Sequence, residues 1–342
     1  MGAAVKGAAN MKGTIKTLRT FKKISVSPLY TMDYTADYQL DRLLKMGAGS
    51  DTEFANNVCK ILLNGLPVKI KPEGACSTFV ATTPDDHKLF ARNFDYKSGM
   101  AMLIKAKPKN GYRSIALSNL GHIGFYEKHL PEKGLISRFR TLAAVYSPLD
   151  GMNEKGFAVA VNTAMEQVTC QNTGKTPVMT TLAIRLLLDR AANVEEAIGI
   201  LKNIDMRSSG KIGYHFHLAD RSGDSAIVEY IENKMIVIRK KPSDHSFCLT
   251  NFTLSSNEKN GTGKERFEIM QSCLNEKCSV MTNKESMELL DAAQMDGHKY
   301  YEPGHMYYDS ITQWSVVYDL SKCTATVTIK SVFEKIYDFS IS

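Results

Sequence analysis

Residues 74–96, GACSTFVATTPDDHKLFARNFDY, decide how this 342-residue chain is to be read. The run from Cys76 to Thr83 is rich in β-branched residues, Pro84-Asp85-Asp86 supplies a turn, and Lys88 to Arg92 reads as a returning strand. A hairpin is the expected result. With the turn centred near Asp85, position 76 lies across from about position 94, which brings Arg92 and Asp95 back beside Cys76. A thiol, a cation and a carboxylate then meet at one strand end.

That grouping makes chemical sense if Cys76 becomes a chain terminus. A cysteine thiol titrates near about 8.5 and needs a base or a cation to act as a nucleophile near neutral pH. A free α-amine, with a pKa of about 7.7 to 8.0, lies closer to neutrality than lysine and can be that base. Cleavage between Ala75 and Cys76 would place nucleophile and base on one residue. Before cleavage the same nitrogen is a non-basic amide, so the uncut chain is expected to be inactive. The small residues Gly74 and Ala75 leave room for the thiol to attack the preceding carbonyl.

Other blocks extend the pattern: Asp150-Gly151-Met152-Asn153-Glu154-Lys155-Gly156 leading to Val161-Asn162, then Leu249-Thr250-Asn251, Arg266-Phe267, and Thr312 to Asp319. With Cys76 and Arg92-Asn93-Phe94-Asp95 they occur in the order found in the N-terminal-nucleophile amide hydrolases, and the chain resembles the choloylglycine hydrolase and acid-ceramidase-like group of that superfamily. The resemblance implies an α+β fold, a four-layer αββα sandwich with Cys76 at the edge of the cleft between the sheets. It implies Cys76 as nucleophile, Asp95 as holder of its α-amine, Arg92 beside the thiol favouring the thiolate, and Asn162 and Asn251 at the oxyanion site. Arg266 corresponds to a second active-site arginine, although Gly263-Lys264-Glu265 precede it here instead of the serine-rich stretch common in bile-salt hydrolases. It further implies an autoprocessed cysteine amidase acting on linear amides, without cofactor. A long segment ahead of the cysteine favours N-acyl amides with an apolar acyl group, as in the ceramidase and N-acylethanolamine amidase branch. A conjugated bile-salt hydrolase or penicillin V acylase would use the same core residues, and a non-catalytic lipid-binding protein would keep the fold without the chemistry.

Composition agrees with a globular enzyme: 43% of residues are hydrophobic and 23% charged. The net charge of +7 is uneven, since residues 1–75 carry 11 Lys/Arg against 6 Asp/Glu and residues 76–342 carry 32 against 30. An excess concentrated in the leader argues against a nucleic-acid surface. The expected organisation is therefore a pro-segment, 1–75, and a catalytic domain, 76–342. Within the pro-segment, residues 1–25 form a basic, solvated extension with membrane-surface contact as the alternative, 34–64 are helical, and 65–75 form the linker. Ser50-Asp51-Thr52-Glu53 reads as a capping box, and Ala36 to Met46 as a short helix.

No stretch of 18 apolar residues occurs, which excludes a transmembrane helix. Seven cysteines and no secretory signal point to a reduced, cytoplasmic setting. Cys273 with Cys278, and His215 with His217, lack a second ligand pair, so no metal is expected. Farther along, helices are expected at Thr180–Arg190, Val194–Asn203, Glu265–Asn275 and Ser286–Gln294. Strands are expected at Ile212–Ala219, Ser225–Ile231, Met235–Arg239, Ser315–Tyr318 and Ala325–Lys330. The sequence leaves the oligomeric state open.

Overall fold

The hairpin forms with the expected register: Ala75–Thr82 pairs antiparallel with Lys88–Tyr96, Cys76 opposite Phe94 and Thr78 opposite Arg92. The structure, a computed structural model, describes residues 2–70, 72–164, 168–256, 261–297 and 309–341. The hairpin sits in a six-stranded sheet, in spatial order Cys248–Leu249, Ala75–Thr82, Lys88–Tyr96, Ile311–Asp319, Thr324–Ile329 and Tyr337–Ser340. A nine-stranded sheet runs Lys22–Lys23, Leu29–Tyr34, Ala101–Ala106, Ser114–Asn119, Pro148–Asn153, Phe157–Thr163, Tyr214–Asp220, Ser225–Ile231 and Lys234–Arg239.

Alternation along the hairpin shows how the layers stack. Cys76, Val80, Phe90 and Phe94 enter the main core with Trp314, Val316 and Tyr318. Phe79, Ala81, Leu89 and Ala91 point the other way, into a second cluster with Met270, Leu274 and Leu290. Successive strand residues face opposite sides, so a strand buried along nearly its whole length must be covered on both. Helices Lys264–Glu276 and Asn283–Ala292 cover the outer face of the six-stranded sheet, and Thr180–Arg190 with Val194–Lys202 cover the larger one. The result is an αββα sandwich, the architecture that the resemblance implies. Asn193 caps the second of these helices by accepting from the Glu196 amide at 2.9 Å.

The segment ahead of Cys76 differs from the expected run of helices. Leu29–Tyr34 is a strand, paired in parallel with Ala101–Ala106 from Leu29 opposite Ala101 to Tyr34 opposite Ala106. Its Leu29, Tyr30, Met32 and Tyr34 are buried in the common core. No strand signal stood out there because the partner strand lies some seventy residues away. The helix expected from Ala36 starts only at Leu40: Gln39 is left-handed (φ 58°), and Asp37 Oδ1 accepts from the Gln39 amide at 2.8 Å, closing a turn. Ser50 caps Asp51–Leu62 through the Glu53 amide at 3.3 Å, but the Glu53 carboxylate takes the Gly49 amide instead of closing the box. The basic extension, expected to be solvated and partly disordered, is a helix over Gly2–Arg19 with Met11 and Ile15 exposed.

His217 bridges the two sheets. Its Nδ1 lies 2.8 Å from Thr78 Oγ1 and its Nε2 3.2 Å from Ser225 Oγ. Ser225 gives its hydroxyl proton to Leu218 O at 2.7 Å, so the ring donates from Nε2 and accepts at Nδ1. Burial lowers the His217 pKa to about 3. The unfolded chain, with a value near 6.5, therefore takes up a proton that the folded chain refuses, and this residue's contribution is lost as pH falls below 6.5. The stability gap between wild type and His217→Gln should narrow by about 1.4 kcal/mol per pH unit from 6.5 toward 4. Urea unfolding across that range measures it, and a constant gap would show that the ring is not held neutral.

Candidate active site

Cys76 is 2% exposed, at the start of a strand between the sheets. Arg92, two residues back along the partner strand from Phe94 and on the same face, donates from Nη2 to Cys76 Sγ at 2.9 Å and to Val161 O at 3.0 Å. Its other terminal nitrogen, Nη1, pairs with Asp150 Oδ2. Asp150 also accepts from Tyr318 OH and from Trp314 Nε1, the latter at 3.2 Å. Arg92 and Trp314 belong to one sheet and Asp150 to the other, so this fully buried hub ties the two sheets together directly behind the thiol.

Asp95 faces the helix side, opposite Ala75. Its oxygens are held by Arg266 Nη1 at 2.8 Å and Thr312 Oγ1 at 2.6 Å. Arg266 reaches further, donating from Nη2 to Asn251 Oδ1 at 2.9 Å, and that same oxygen accepts the Cys76 amide at 2.9 Å. Arg266 thus aligns both the carboxylate and the group that holds the Cys76 nitrogen. The departure noted ahead of Arg266 has a steric reason. Gly263 caps the helix at φ 81°, and a Cβ there would stand 2.7 Å from Arg266 Nη2.

Asn251 Nδ2 donates to Thr163 O and Oγ1, both at 2.9 Å, while Thr163 Oγ1 donates to Gly74 O at 2.8 Å. The peptide on either side of Ala75 is therefore gripped from the Asn251–Thr163 pair. Gly74 itself has φ 149°, and a Cβ would stand 2.6 Å from the Phe94 ring. Asn162 Nδ2 points to Leu249 O and Thr250 O at 3.3 and 3.2 Å, with its buried Oδ1 unpartnered. With the Ala75–Cys76 bond intact, then, both asparagine amides donate to protein oxygens.

Burial is the largest influence on the titrating groups. It raises the Cys76 thiol, while Arg92 pulls the other way, toward the thiolate. Burial likewise raises Asp95 against Arg266 and Thr312, and Asp150 against Arg92, Tyr318 and Trp314. His122 accepts the Glu73 amide on Nε2 at 3.3 Å, and burial lowers its pKa to about 4.

All six residues singled out in the sequence, Cys76, Arg92, Asp95, Asn162, Asn251 and Arg266, are buried at this strand end. Sequence reasoning gave no role to Asp150, Thr163, Thr312, Trp314 or Tyr318. Asp150 carried a signal: a carboxylate in the buried strand PLDGMN has to be paired. Of the two histidines set aside as metal ligands, His215 contacts Glu229 Oε1 at 3.2 Å and Thr250 O at 2.9 Å, and His217 the hydroxyls described above.

A profile of the family described as acyl-coenzyme A:6-aminopenicillanic acid acyl-transferase matches residues 82–332. A penicillin V acylase of Pectobacterium atrosepticum is 29% identical over 202 residues, 54% of this chain and 52% of that protein; the match thus spans about half the length of each. Among solved structures, a mutant of the conjugated bile acid hydrolase from Clostridium perfringens superposes with a TM-score of 0.57 at 16% identity, covering 78% of this chain and 92% of that one. Penicillin V acylase from Agrobacterium tumefaciens gives 0.53 at 20% identity, covering 78% and 86%. These two likenesses establish the fold.

Proposed function

Because the chain belongs to the acyl-coenzyme A:6-aminopenicillanic acid acyl-transferase family over residues 82–332, we propose that it is a self-processed cysteine amidase hydrolysing linear N-acyl amides with an apolar acyl group. The observation that carries this reading is the Arg92 guanidinium 2.9 Å from Cys76 Sγ, with the Cys76 nitrogen held by Asn251 at the same distance. In the first step the thiol attacks the Ala75 carbonyl carbon and the Ala75–Cys76 C–N bond breaks. The resulting thioester is hydrolysed by water, leaving Ala75 as a carboxylate and Cys76 with a free α-amine.

That amine then takes the thiol proton, and the thiolate attacks the substrate carbonyl. Asp95, fixed by Arg266 and Thr312, holds the ammonium so formed. Asn162 and Asn251, once released from their present acceptors, donate to the oxyanion; one such donor is worth about 3 kcal/mol. Collapse returns the proton to the leaving amine, and water hydrolyses the acyl-thioester with the α-amine as base. The boundary at Ala75–Cys76 divides a pro-segment, 1–75, from a catalytic chain, 76–342. The sequence match to a penicillin V acylase supports a second reading, in which the acyl group is aromatic.

Intact-mass analysis and N-terminal sequencing of purified protein test the mechanism, followed by assay on fatty-acyl amides, phenoxyacetyl amides and glycine- or taurine-conjugated bile acids. A terminus at Cys76 together with turnover of the fatty-acyl amides is the expected result. A chain that stays intact under every condition removes the α-amine base and favours a lipid-binding role.

Cleavage should leave the two pieces together. Leu29–Tyr34 is an internal strand of the large sheet, and Tyr38 donates to Asp189 Oδ2 at 2.6 Å, where Asp189 is already paired with buried Arg185. After processing, native size exclusion should give one peak holding both fragments, and urea should separate them.

A further inference from the structure

Thr163 closes the strand Phe157–Thr163, and Tyr214 opens the neighbouring strand directly opposite it. Both side chains reach the segment ahead of the nucleophile: Thr163 Oγ1 donates to Gly74 O at 2.8 Å, and Tyr214 OH donates to Pro72 O at 2.8 Å. One register pair of the large sheet therefore holds two carbonyls of the chain just before Ala75. Gly74, at φ 149°, needs such an outside hold, because a residue without a Cβ imposes little preference on the peptide planes that flank it.

The partners of Thr163 fix the direction of its hydroxyl. Arg266 Nη2 and the Cys76 amide can only donate, and both meet Asn251 Oδ1 at 2.9 Å, so Asn251 turns Nδ2 toward Thr163 and donates to Oγ1 at 2.9 Å. The hydroxyl accepts that bond and gives its single proton to Gly74 O. A one-way chain thus runs from Arg266 through Asn251 and Thr163 to the Gly74 carbonyl, and hydrogen bonds aligned in this way strengthen one another. Asn251 holds the nitrogen of the bond to be cut, Thr163 holds the peptide on the other side of Ala75, and the two are joined to each other. Only the two soft dihedrals of Ala75 lie between these anchors.

We propose that Thr163 is a positioning residue for self-cleavage and for that reaction alone. The proposal rests on the self-processing in the amidase reading. In that step the Cys76 thiol adds to the Ala75 carbonyl carbon, the Ala75–Cys76 C–N bond breaks, and the thiol proton passes to the Cys76 nitrogen. Thr163 sets the plane from which the Ala75 carbonyl extends toward the sulfur. In turnover the end of the pro-segment has to leave before a substrate carbonyl can take the place of Ala75, and Thr163 then has no peptide to hold. Asn251 keeps its 2.9 Å bond to the main-chain oxygen of Thr163, which any residue at 163 supplies.

The test follows cleavage of freshly purified full-length wild type, Thr163→Val and Thr163→Ser by intact mass over time. Turnover of an amide that wild type hydrolyses is then measured per molecule carrying a free Cys76 terminus. Thr163→Val, which keeps the shape and loses the hydroxyl, should cut at least about tenfold more slowly, because a small displacement of the reacting carbonyl is costly. Thr163→Ser should cut within about threefold of wild type, and kcat and KM per cleaved molecule should agree within about threefold for all three. The same substitutions placed on Cys76→Ala, where nothing is cut, should give cooperative urea unfolding, which separates slow cutting from a lost fold. Thr163→Ala removes the same hydroxyl and replaces the valine variant if that chain fails to fold.

Cutting by Thr163→Val at the wild-type rate overturns the proposal. Equal slowing in Thr163→Ser assigns the effect to packing and overturns it as well, and a parallel fall in turnover overturns the restriction to self-cleavage. A wild-type chain that never cuts sinks the amidase reading and this role with it, an outcome distinct from a cutting wild type beside an equally fast valine variant.

Discussion

The full-length Cys76→Ala chain is expected to remain a single polypeptide of 38.0 kDa and to lose amidase activity by roughly 10⁶-fold relative to processed wild type. On the proposed mechanism the substitution removes the atom that attacks in both reactions, first on Ala75 and then on substrate, so no partial route survives through Arg92, Asp95 or the asparagines. Folding should be little affected. The side chain is small, and the Arg92 guanidinium keeps Asp150 and Val161 O as partners when the sulfur is gone. Matching circular dichroism and a urea midpoint close to that of the uncut wild-type chain would separate this outcome from misfolding. Cleavage at Ala75–Cys76 in the alanine variant would show that an external protease cuts there and that the thiol is not the agent.

Asp150→Asn should produce the largest loss of stability, about 3 to 5 kcal/mol. The shape is kept, but the charge opposite Arg92 disappears, leaving a guanidinium buried between two sheets with no compensating anion; Tyr318 and Trp314 lose a charged acceptor as well. Arg92→Met should be destabilising by a similar mechanism in reverse. The double variant Arg92→Met/Asp150→Leu, by contrast, replaces the pair with apolar groups and should cost clearly less than the sum of its singles, since neither charge is left alone. Urea unfolding of wild type, Arg92→Met, Asp150→Leu and the double variant closes the cycle, and strict additivity would mean that the pair is not coupled. Both variants lacking Arg92 should also process slowly, the double variant despite its regained stability, because the thiol then has no cation within hydrogen-bond reach to offset the rise that burial imposes on its pKa.

Much of this site was legible in the chain because its parts are local. The alternation of Cys76 to Thr83 and the Pro84-Asp85-Asp86 turn set a register that a one-residue slip would have turned inside out, and that register alone carries Arg92 and Asp95 to the cysteine. The limits of two helices were legible for the same reason, whereas the helix expected at Ser286–Gln294 runs Asn283–Ala292, capped by Thr282. Asn193 and Glu196 mark one start, and the apolar spacing of Thr180–Arg190 marks the helix before it.

What escaped was set by contacts distant in sequence. Leu29–Tyr34 becomes a strand only because Ala101–Ala106 offers its free edge, and no local pattern encodes a parallel partner so far away. Asp150, Trp314 and Tyr318 gain a role only when two sheets close on each other, and Arg266 gains its double hold on Asp95 and Asn251 only when its helix packs across the hairpin. The ionisation of Cys76 likewise belongs to the tertiary structure, since the sequence supplies the cation while the depth of burial decides which influence is larger. By itself, then, the sequence determined the hairpin that carries Cys76 and the charges nearest to it, because those follow from period-two alternation over twenty residues. The layering, the hub that ties the sheets and the place of Leu29–Tyr34 within the core were decided by tertiary packing, because each depends on surfaces brought together from remote parts of the chain.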